Sequence, residues 1–469
     1  MQHLSRAELV AVAAVVAAGL MLRILPLPYS AGSDLAQFAG FADTFLRHSL
    51  CFYSFADALH WTSEGWPYNW PYIYGPIWVA ILAAIRCGVN SEVVTTFSGN
   101  TYKVYIPMDW ALAVKSVIVV FDVASAILLY ILVRRYRSWL YAVTALAAYF
   151  LNPVTIYVSA IYGMFDPVAL APLLGSLLLV RKNSLASGAL AAISVLTKQM
   201  YLLPAATILL GLALFDRKAA KPFTAGALLA SLAALLPFAL ACPQSVPHMI
   251  DLALYSASTY YVRPLPYSFN GISSLATYLH DYMGIDAMLL INMWYVPFGV
   301  LYALVVVYLL RSRNYVAAAC LSYVVFTAAY WRVNYQYFVG LTALLIILIS
   351  SAELRCLSRF SAAAVIALAA SWVFMYPISW WFRVHVASPN YEAISILDKL
   401  SLHILDFSAY VPYALALTIL QYILICSAAC LDRADLTSRG LPRTRDADKL
   451  TAVLSLFHSA LLTPGSEIH

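Results

Sequence analysis

Six charged residues stand at the edges of long apolar runs: Asp34, Asp166, Lys198, Arg263, Arg332 and Arg383. A charge at membrane depth is costly, so each needs a partner or a task. A carboxylate can take a proton from an attacking hydroxyl. Fixed cations can stabilise a phosphate as it leaves. Together they fit an anionic lipid substrate undergoing acid–base or displacement chemistry. Asp34 follows the first apolar run in Ala31-Gly32-Ser33-Asp34, and Asp166 closes Tyr162-Gly163-Met164-Phe165-Asp166. Lys198 lies in Thr197-Lys198-Gln199, and Arg332 opens Arg332-Val333-Asn334-Tyr335-Gln336-Tyr337.

Plainer roles compete with these. Asp34 with Gln37 three residues on fits a helix N-cap. Asp122, within an apolar run, can pair with Lys115 or a hydroxyl. Lys198 and Arg332 can snorkel to the interface. On spacing alone an enzyme and a transporter are equally supported, although the lack of an internal repeat counts against a secondary transporter.

The elements that must position these residues are helices in lipid. Of 469 residues, 63% are hydrophobic and 11% charged, far from the roughly even apolar share and quarter charge of soluble domains. The apolar residues run continuously instead of alternating, which excludes a β-barrel. A net charge of +6 is too dilute for a nucleic-acid partner. Apolar runs predict helices near 7–29, 110–133, 139–162, 167–180, 184–197, 200–215, 222–241, 288–310, 315–331, 336–351, 360–380 and 407–431. The first has no small-residue cleavage site and reads as a retained helix. Residues 71–87 are apolar enough for a further span, but Pro71 and Pro76 favour a short or re-entrant element. The expected fold is all-α and polytopic, with about 12–13 spans.

Basic clusters at Arg134, Arg135 and Arg137, at Arg181 and Lys182, at Arg217, Lys218 and Lys221, at Arg311 and Arg313, and at Arg355 and Arg359 mark the inner side. Loops 30–70, 242–287 and 381–406 then lie together outside. From Asp34 the positions Leu35, Phe38, Phe41, Ala42, Phe45 and Leu46 repeat with helical spacing, opposite Gln37, Asp43, Thr44, Arg47 and His48. This pattern predicts an amphipathic helix along the membrane surface. The aromatics of that loop, Trp61, Trp66, Tyr68, Trp70, Tyr72, Tyr74 and Trp78, read first as an interfacial belt and second as a platform for a sugar or headgroup. The seven cysteines form no Cys-x-x-Cys pair and make no metal or redox case. Residues 432–469 read as an inner tail with an apolar stripe at Leu450, Val453, Leu454, Phe457, Ala460 and Leu461.

The stretch from Asn152-Pro153 through Ser159 to Asp166, then Leu196-Thr197-Lys198-Gln199 and Leu203-Pro204, resembles the C-type (GT-C) membrane glycosyltransferases that use polyprenyl- or dolichyl-phosphate sugars. Tyr72-Ile73-Tyr74-Gly75-Pro76, Lys115 with Phe121-Asp122, and Val333-Asn334-Tyr335-Gln336-Tyr337 resemble further motifs of the archaeal-type and glycosylphosphatidylinositol-type mannosyltransferases, in the same order. The resemblance runs over residues 30–345 and implies a GT-C-like catalytic module over 1–350, followed by C-terminal helices over 351–431.

It also implies an inverting transferase, with a polyprenyl-phosphate sugar as donor and a lipid-linked or glycolipid acceptor at the outer face. The first-loop acid, Asp34, is then the catalytic base. Lys198, Arg263 and Arg332, in that order, become candidates for the donor phosphate, and Asp166, Gln199, Asn334 and Gln336 candidates for sugar or acceptor. Related enzymes often pair two acids in that loop, whereas Ser33-Asp34-Leu35-Ala36 has one. No metal ligand is therefore assigned, and a divalent Mg or Mn ion is left open. A polyprenyl-lipid flippase, or a non-catalytic partner of the same fold, is the alternative.

Overall fold

A computed structural model describes residues 5–28, 30–98, 101–256, 270–351, 355–374, 382–386 and 407–429. Arg263, most of loop 381–406 and the tail with its apolar stripe lie outside the described residues. The chain from Met1 to Ala429 forms one compact unit.

The apolar runs fold as helices. Among the described residues, five are long and apolar enough to cross a membrane: α1 (Arg6–Ile24), α4 (Met108–Tyr136), α10 (Arg217–Ala241), α14 (Tyr295–Ser312) and α18 (Phe407–Ala429). The run 139–162 forms a bent pair, α5 (Trp139–Phe150) and α6 (Pro153–Tyr162), with a 48° turn between them. Pro153 has no N–H to continue the ladder, and Asn152 caps the second piece by accepting from the Val154 amide at 3.0 Å. Shorter apolar helices are α3 (Pro76–Arg86), α7 (Asp166–Leu179), α8 (Ser184–Thr197), α9 (Leu202–Phe215), α15 (Tyr315–Ala329), α16 (Tyr337–Ser351) and α17 (Arg355–Ala370). The expected 12–13 spans would need these to cross as well. Buried along nearly their whole length, α7, α15 and α16 form the middle of the bundle.

Apart from the buried Arg23–Asp122 pair, the charged groups collect at two ends. At one, Arg135 donates to the Leu178 carbonyl at 2.6 Å, Arg137 to Ser350 at 3.1 Å and Arg311 to Ala429 at 2.6 Å. Each arginine thus meets a carbonyl at a helix C-terminus, where positive charge is favoured. The predicted loops meet at the other end. The start of α11 (Ser245–Tyr255) touches the 3-10 turn Ser49–Phe55: Ser245 Oγ donates to the Leu50 carbonyl at 3.0 Å.

A small sheet belongs to this end too. β1 (Val94–Ser98) and β2 (Thr101–Ile106) form a hairpin, and β3 (Phe382–Val386) runs parallel to β2 with Tyr105 opposite His385. The sequence reading assigned no strands, although Val94, Thr95 and Thr96 and Val104, Tyr105 and Ile106 are strand-forming types.

Residues 71–87 yield the eleven-residue α3, about 16 Å long and half of a bilayer core. Its start lies against α8: a Cβ on Gly75 would fall 2.0 Å from the Leu196 carbonyl oxygen. At its end, Arg86 Nε bonds Asp43 of α2 (Asp34–His48) at 2.7 Å. After the hairpin, the Trp110 indole of α4 donates to the Leu35 carbonyl at 2.8 Å. The chain therefore enters and leaves α3 at the same end of the bundle.

Helix α2 has the predicted bounds but not the predicted setting. Its polar face does not lie open at a membrane surface. Gln37 is buried and donates to the Tyr68 and Trp70 carbonyls at 3.1 and 2.8 Å. Thr44 is buried and accepts from the Trp66 indole at 2.8 Å. The aromatic loop folds over this face, so Trp66, Tyr68, Tyr72 and Trp78 are core residues, while Trp61 and Trp70 stay exposed.

Asp122 pairs with a residue the sequence reading did not single out. Arg23 Nε lies 2.7 Å from its Oδ2, the Tyr149 hydroxyl donates to Oδ1 at 2.7 Å, and Arg23 and Asp122 are fully buried. Arg23 also donates to the Phe150 carbonyl at 2.6 Å, bracing the bend beside Asn152. Lys115 is not the partner of Asp122.

Candidate functional site

The break between α6 and α7 builds the first part of the site. The last turn of α6 widens, and the amides of Gly163 and Met164 both reach the Val158 carbonyl at 3.0 and 2.9 Å. Gly163 reverses the chain with φ +87°, in the left-handed region, and a Cβ there would meet the Leu35 side chain at 2.4 Å. Wide turns of this kind expose side chains at functional sites. Here the turn aims Tyr162 at the start of α2. The Tyr162 hydroxyl donates to Asp34 Oδ2 and stands 3.3 Å from Ser33 Oγ. Its carbonyl accepts from the Gly32 amide at 2.7 Å. Lys115 Nζ fastens the same junction, donating to the Ser30 carbonyl at 2.5 Å and the Ala160 carbonyl at 3.0 Å.

Asp34 is therefore not a cap. Ser33 holds the N-cap position without a side-chain hydrogen bond, Asp34 is the first helical residue, and Gln37 is engaged elsewhere. Asp34 is half-buried. Burial pushes its carboxyl above the usual carboxylate range, opposed by the Tyr162 hydrogen bond and then by the charges of Lys198 and Arg332.

Asp166 and Lys198 form the second part. Asp166 opens α7, just before Pro167 at the helix start, and Lys198 follows α8 in extended backbone. Nζ lies 2.6 Å from Asp166 Oδ2, and both side chains are essentially buried. The Lys198 ammonium also faces the rings of Phe165, Tyr337 and Tyr74 at 4.9, 5.2 and 5.9 Å. Asp166 Oδ1 and Gln199 Oε1 are buried without a protein partner. Such orphaned acceptors are costly unless a ligand or water meets them. Gln199 Nε2 lies 3.4 Å from Ser256 Oγ, at the end of α11.

Arg332 supplies the third part, between α15 and α16. It is half-buried, with its guanidinium carbon 5.2 Å from the exposed Trp70 ring. Asn334 and Gln336 lie in the same connection, half-buried and buried. Tyr335 packs its ring 5.3 Å from that of Tyr162. Asp34, Asp166, Lys198 and Arg332 thus gather at the end of the bundle opposite the basic clusters. Arg383 lies in β3, paired in register with Lys103 of β2. Tyr74 is one of the loop aromatics expected as a belt or platform, whereas the hydroxyl of Tyr162, the ring of Tyr337 and the cross-ties of Lys115 had no signal beyond position within the quoted motifs.

Asp166 is committed to Lys198, and among the described residues no group of three or more His, Cys, Asp or Glu is gathered that could hold a divalent cation.

Three comparisons bear on this arrangement. The model of glycosyltransferase family 87 matches residues 72–331. That region holds Lys115, Asp166 and Lys198 and ends one residue before Arg332. No curated protein matches the chain. Among solved structures, the crystal structure of ArnT from Cupriavidus metallidurans bound to undecaprenyl phosphate is similar, with 13% identity over 89% of this chain and 76% of that one, at a TM-score of 0.45.

Proposed function

The chain belongs to glycosyltransferase family 87, and we propose that it transfers mannose from a polyprenyl-phosphate donor to a lipid-linked or glycolipid acceptor, at the outer face of the membrane, with inversion. The observation that carries this reading is the placement of Asp34. Its carboxylate is held by Tyr162 at the opening of a helix, its charged form favoured by Lys198 and Arg332, in a polar cluster enclosed by apolar helices. The outer face is the one opposite the arginine clusters.

In the proposed step the acceptor hydroxyl attacks C1 of the sugar. A new C1–O bond forms as the bond from C1 to the phosphate oxygen breaks, and the hydroxyl proton passes to Asp34. The polyprenyl phosphate leaves with both electrons of that bond. Arg332 is the better placed of the two described cations to meet it. Lys198 is buried on Asp166, while Arg332 is half-buried beside the exposed Trp70. Charge-assisted contacts to a departing phosphate act where negative charge develops. Asp166 Oδ1 and Gln199 Oε1 accept hydroxyls of the sugar, which supplies the partners these atoms lack. No metal takes part in this scheme.

The test is product formation in membranes supplied with labelled polyprenyl-phosphate mannose or glucose. Transfer of mannose to a lipid acceptor supports the reading. Transfer of glucose alone overturns the sugar assignment, and no transfer from either donor overturns the donor class.

A further inference from the structure

Loops 30–70 and 242–256 are joined by contacts that the transfer reaction does not use. Leu50 accepts from Ser245 Oγ at 3.0 Å, Ser54 Oγ lies 3.7 Å from Cys242 Sγ, and His248 lies 3.8 Å from Asp57. Between these ties two cysteines meet. Cys51 stands three residues before Ser54 in the 3-10 turn Ser49–Phe55, where residues three apart share a face, so it lies on the side that meets Cys242 at the end of α10, and both cysteines are half-buried. They are 191 residues apart in sequence (242 − 51), so no spacing motif revealed them.

We propose that Cys51 and Cys242 are a disulfide-forming pair that locks the first loop to the segment after α10. A disulfide needs its two Cβ atoms about 4 Å apart, and cysteines on facing turns already tied by the Ser54–Cys242 and Ser245–Leu50 contacts need little movement to reach that. The environment also orders the chemistry. Cys51, with Ser54 and Ser245, lowers the Cys242 thiol below the ordinary value. The Cys51 thiol, beside Cys242, is raised. Cys242 is therefore the thiolate that attacks.

The oxidant is the disulfide of a thiol oxidoreductase. Cys242 sulfur attacks one sulfur of that disulfide, forming a mixed disulfide and releasing the carrier's second sulfur as a thiolate. Cys51, losing its proton, then attacks Cys242 sulfur and frees the other carrier sulfur. The two cysteines lose two protons and two electrons, and the carrier ends as a dithiol. This inference rests on the reading that the site end faces the oxidising, outer compartment.

The bridge would clamp α11, whose last residues border the site. The Ser256 carbonyl accepts from the Tyr330 hydroxyl at 2.7 Å, and its side chain lies beside Gln199. Reduction should loosen this wall and lower kcat/KM a few-fold, with Asp34 untouched.

The test counts thiols in the full chain. Membranes are acid-quenched, dissolved in SDS and treated with maleimide-polyethylene glycol, with and without prior reduction. The chain has seven cysteines, so the expected result is five labels unreduced and seven after reduction. Cys51→Ser and Cys242→Ser should each give six under both conditions. Seven labels without reductant overturn the proposal, as does a count of four in either unreduced variant, which would mean that a disulfide survives without that cysteine. Ser63→Cys, at an exposed position of the first loop, separates the causes of a seven-label count. If an impermeant maleimide reaches Ser63→Cys from outside, only the disulfide has failed. If it does not, the outward placement has failed with it.

Discussion

Lys198 Nζ lies 2.6 Å from Asp166 Oδ2 with both side chains buried, so neither charge is neutralised by solvent. Removing one partner of such a pair strands the other and costs about 3–5 kcal/mol. Lys198→Met should therefore reduce both thermal stability in detergent and transfer. The double variant Lys198→Met with Asp166→Asn should recover much of the stability and none of the transfer. Wild-type melting of Lys198→Met alone would show that the pair is not a buried ion pair.

Arg332 carries the donor phosphate in this account, and its other visible contact is the face of Trp70. A charge-assisted contact contributes roughly 1.5–3 kcal/mol. Arg332→Gln should accordingly raise the donor KM by about ten- to a hundred-fold, with acceptor KM little changed. An acceptor effect without a donor effect would move Arg332 to the other substrate.

Tyr162 tunes the base. Burial raises the Asp34 carboxyl and the Tyr162 hydroxyl opposes that rise by bonding the ionised form. The base works only when ionised, so kcat/KM should climb with pH through the Asp34 titration and then level off. Tyr162→Phe removes an interaction that lowers the pKa, which moves the acid limb to higher pH and leaves the plateau closer to wild type. A pH profile that does not move in Tyr162→Phe would disconnect the hydroxyl from the base.

The Arg23–Asp122 pair is assigned a structural task. It joins α1 to α4 and, through Tyr149 and the Phe150 carbonyl, to the bend after α5. Arg23→Met should destabilise the protein by about 3–5 kcal/mol. Its KM values should stay near wild type per folded molecule, measured by calibrated ligand-free melting and initial rates. A donor KM shift in stable Arg23→Met protein would put this pair in the substrate path.

The helices were legible because a bilayer demands long apolar runs, a local property of the sequence. The short α3 behind Pro76 was legible because proline removes a backbone donor, but the same signal at Pro153 was passed over, and the run 139–162, expected as one helix, breaks there. Pairings across the bundle were not. Lys115 or a hydroxyl was the expected partner of Asp122: a hydroxyl does bond it, that of Tyr149, but the cation is Arg23, 99 residues away, and not Lys115. Likewise α2 shows a clear polar face, but no periodicity reveals that Trp66 and the Tyr68 and Trp70 carbonyls cover it. The site was half legible: Asp34, Asp166, Lys198 and Arg332 stood out as expensive charges. Tyr162 did not, being one of 33 tyrosines with nothing local to mark its hydroxyl.

Asp34 decides the account. Asp34→Asn keeps the side chain's size and its ability to accept from Tyr162, while removing the negative charge that takes the proton. Asp251→Asn, at an exposed position of α11, is the control for handling and expression. The measurement is single-turnover transfer from labelled polyprenyl-phosphate mannose at matched amounts of folded protein. The account predicts a loss of about 10²–10⁴-fold in Asp34→Asn, the usual contribution of a general base, with Asp251→Asn unchanged. Transfer at the wild-type rate in folded Asp34→Asn protein would contradict it.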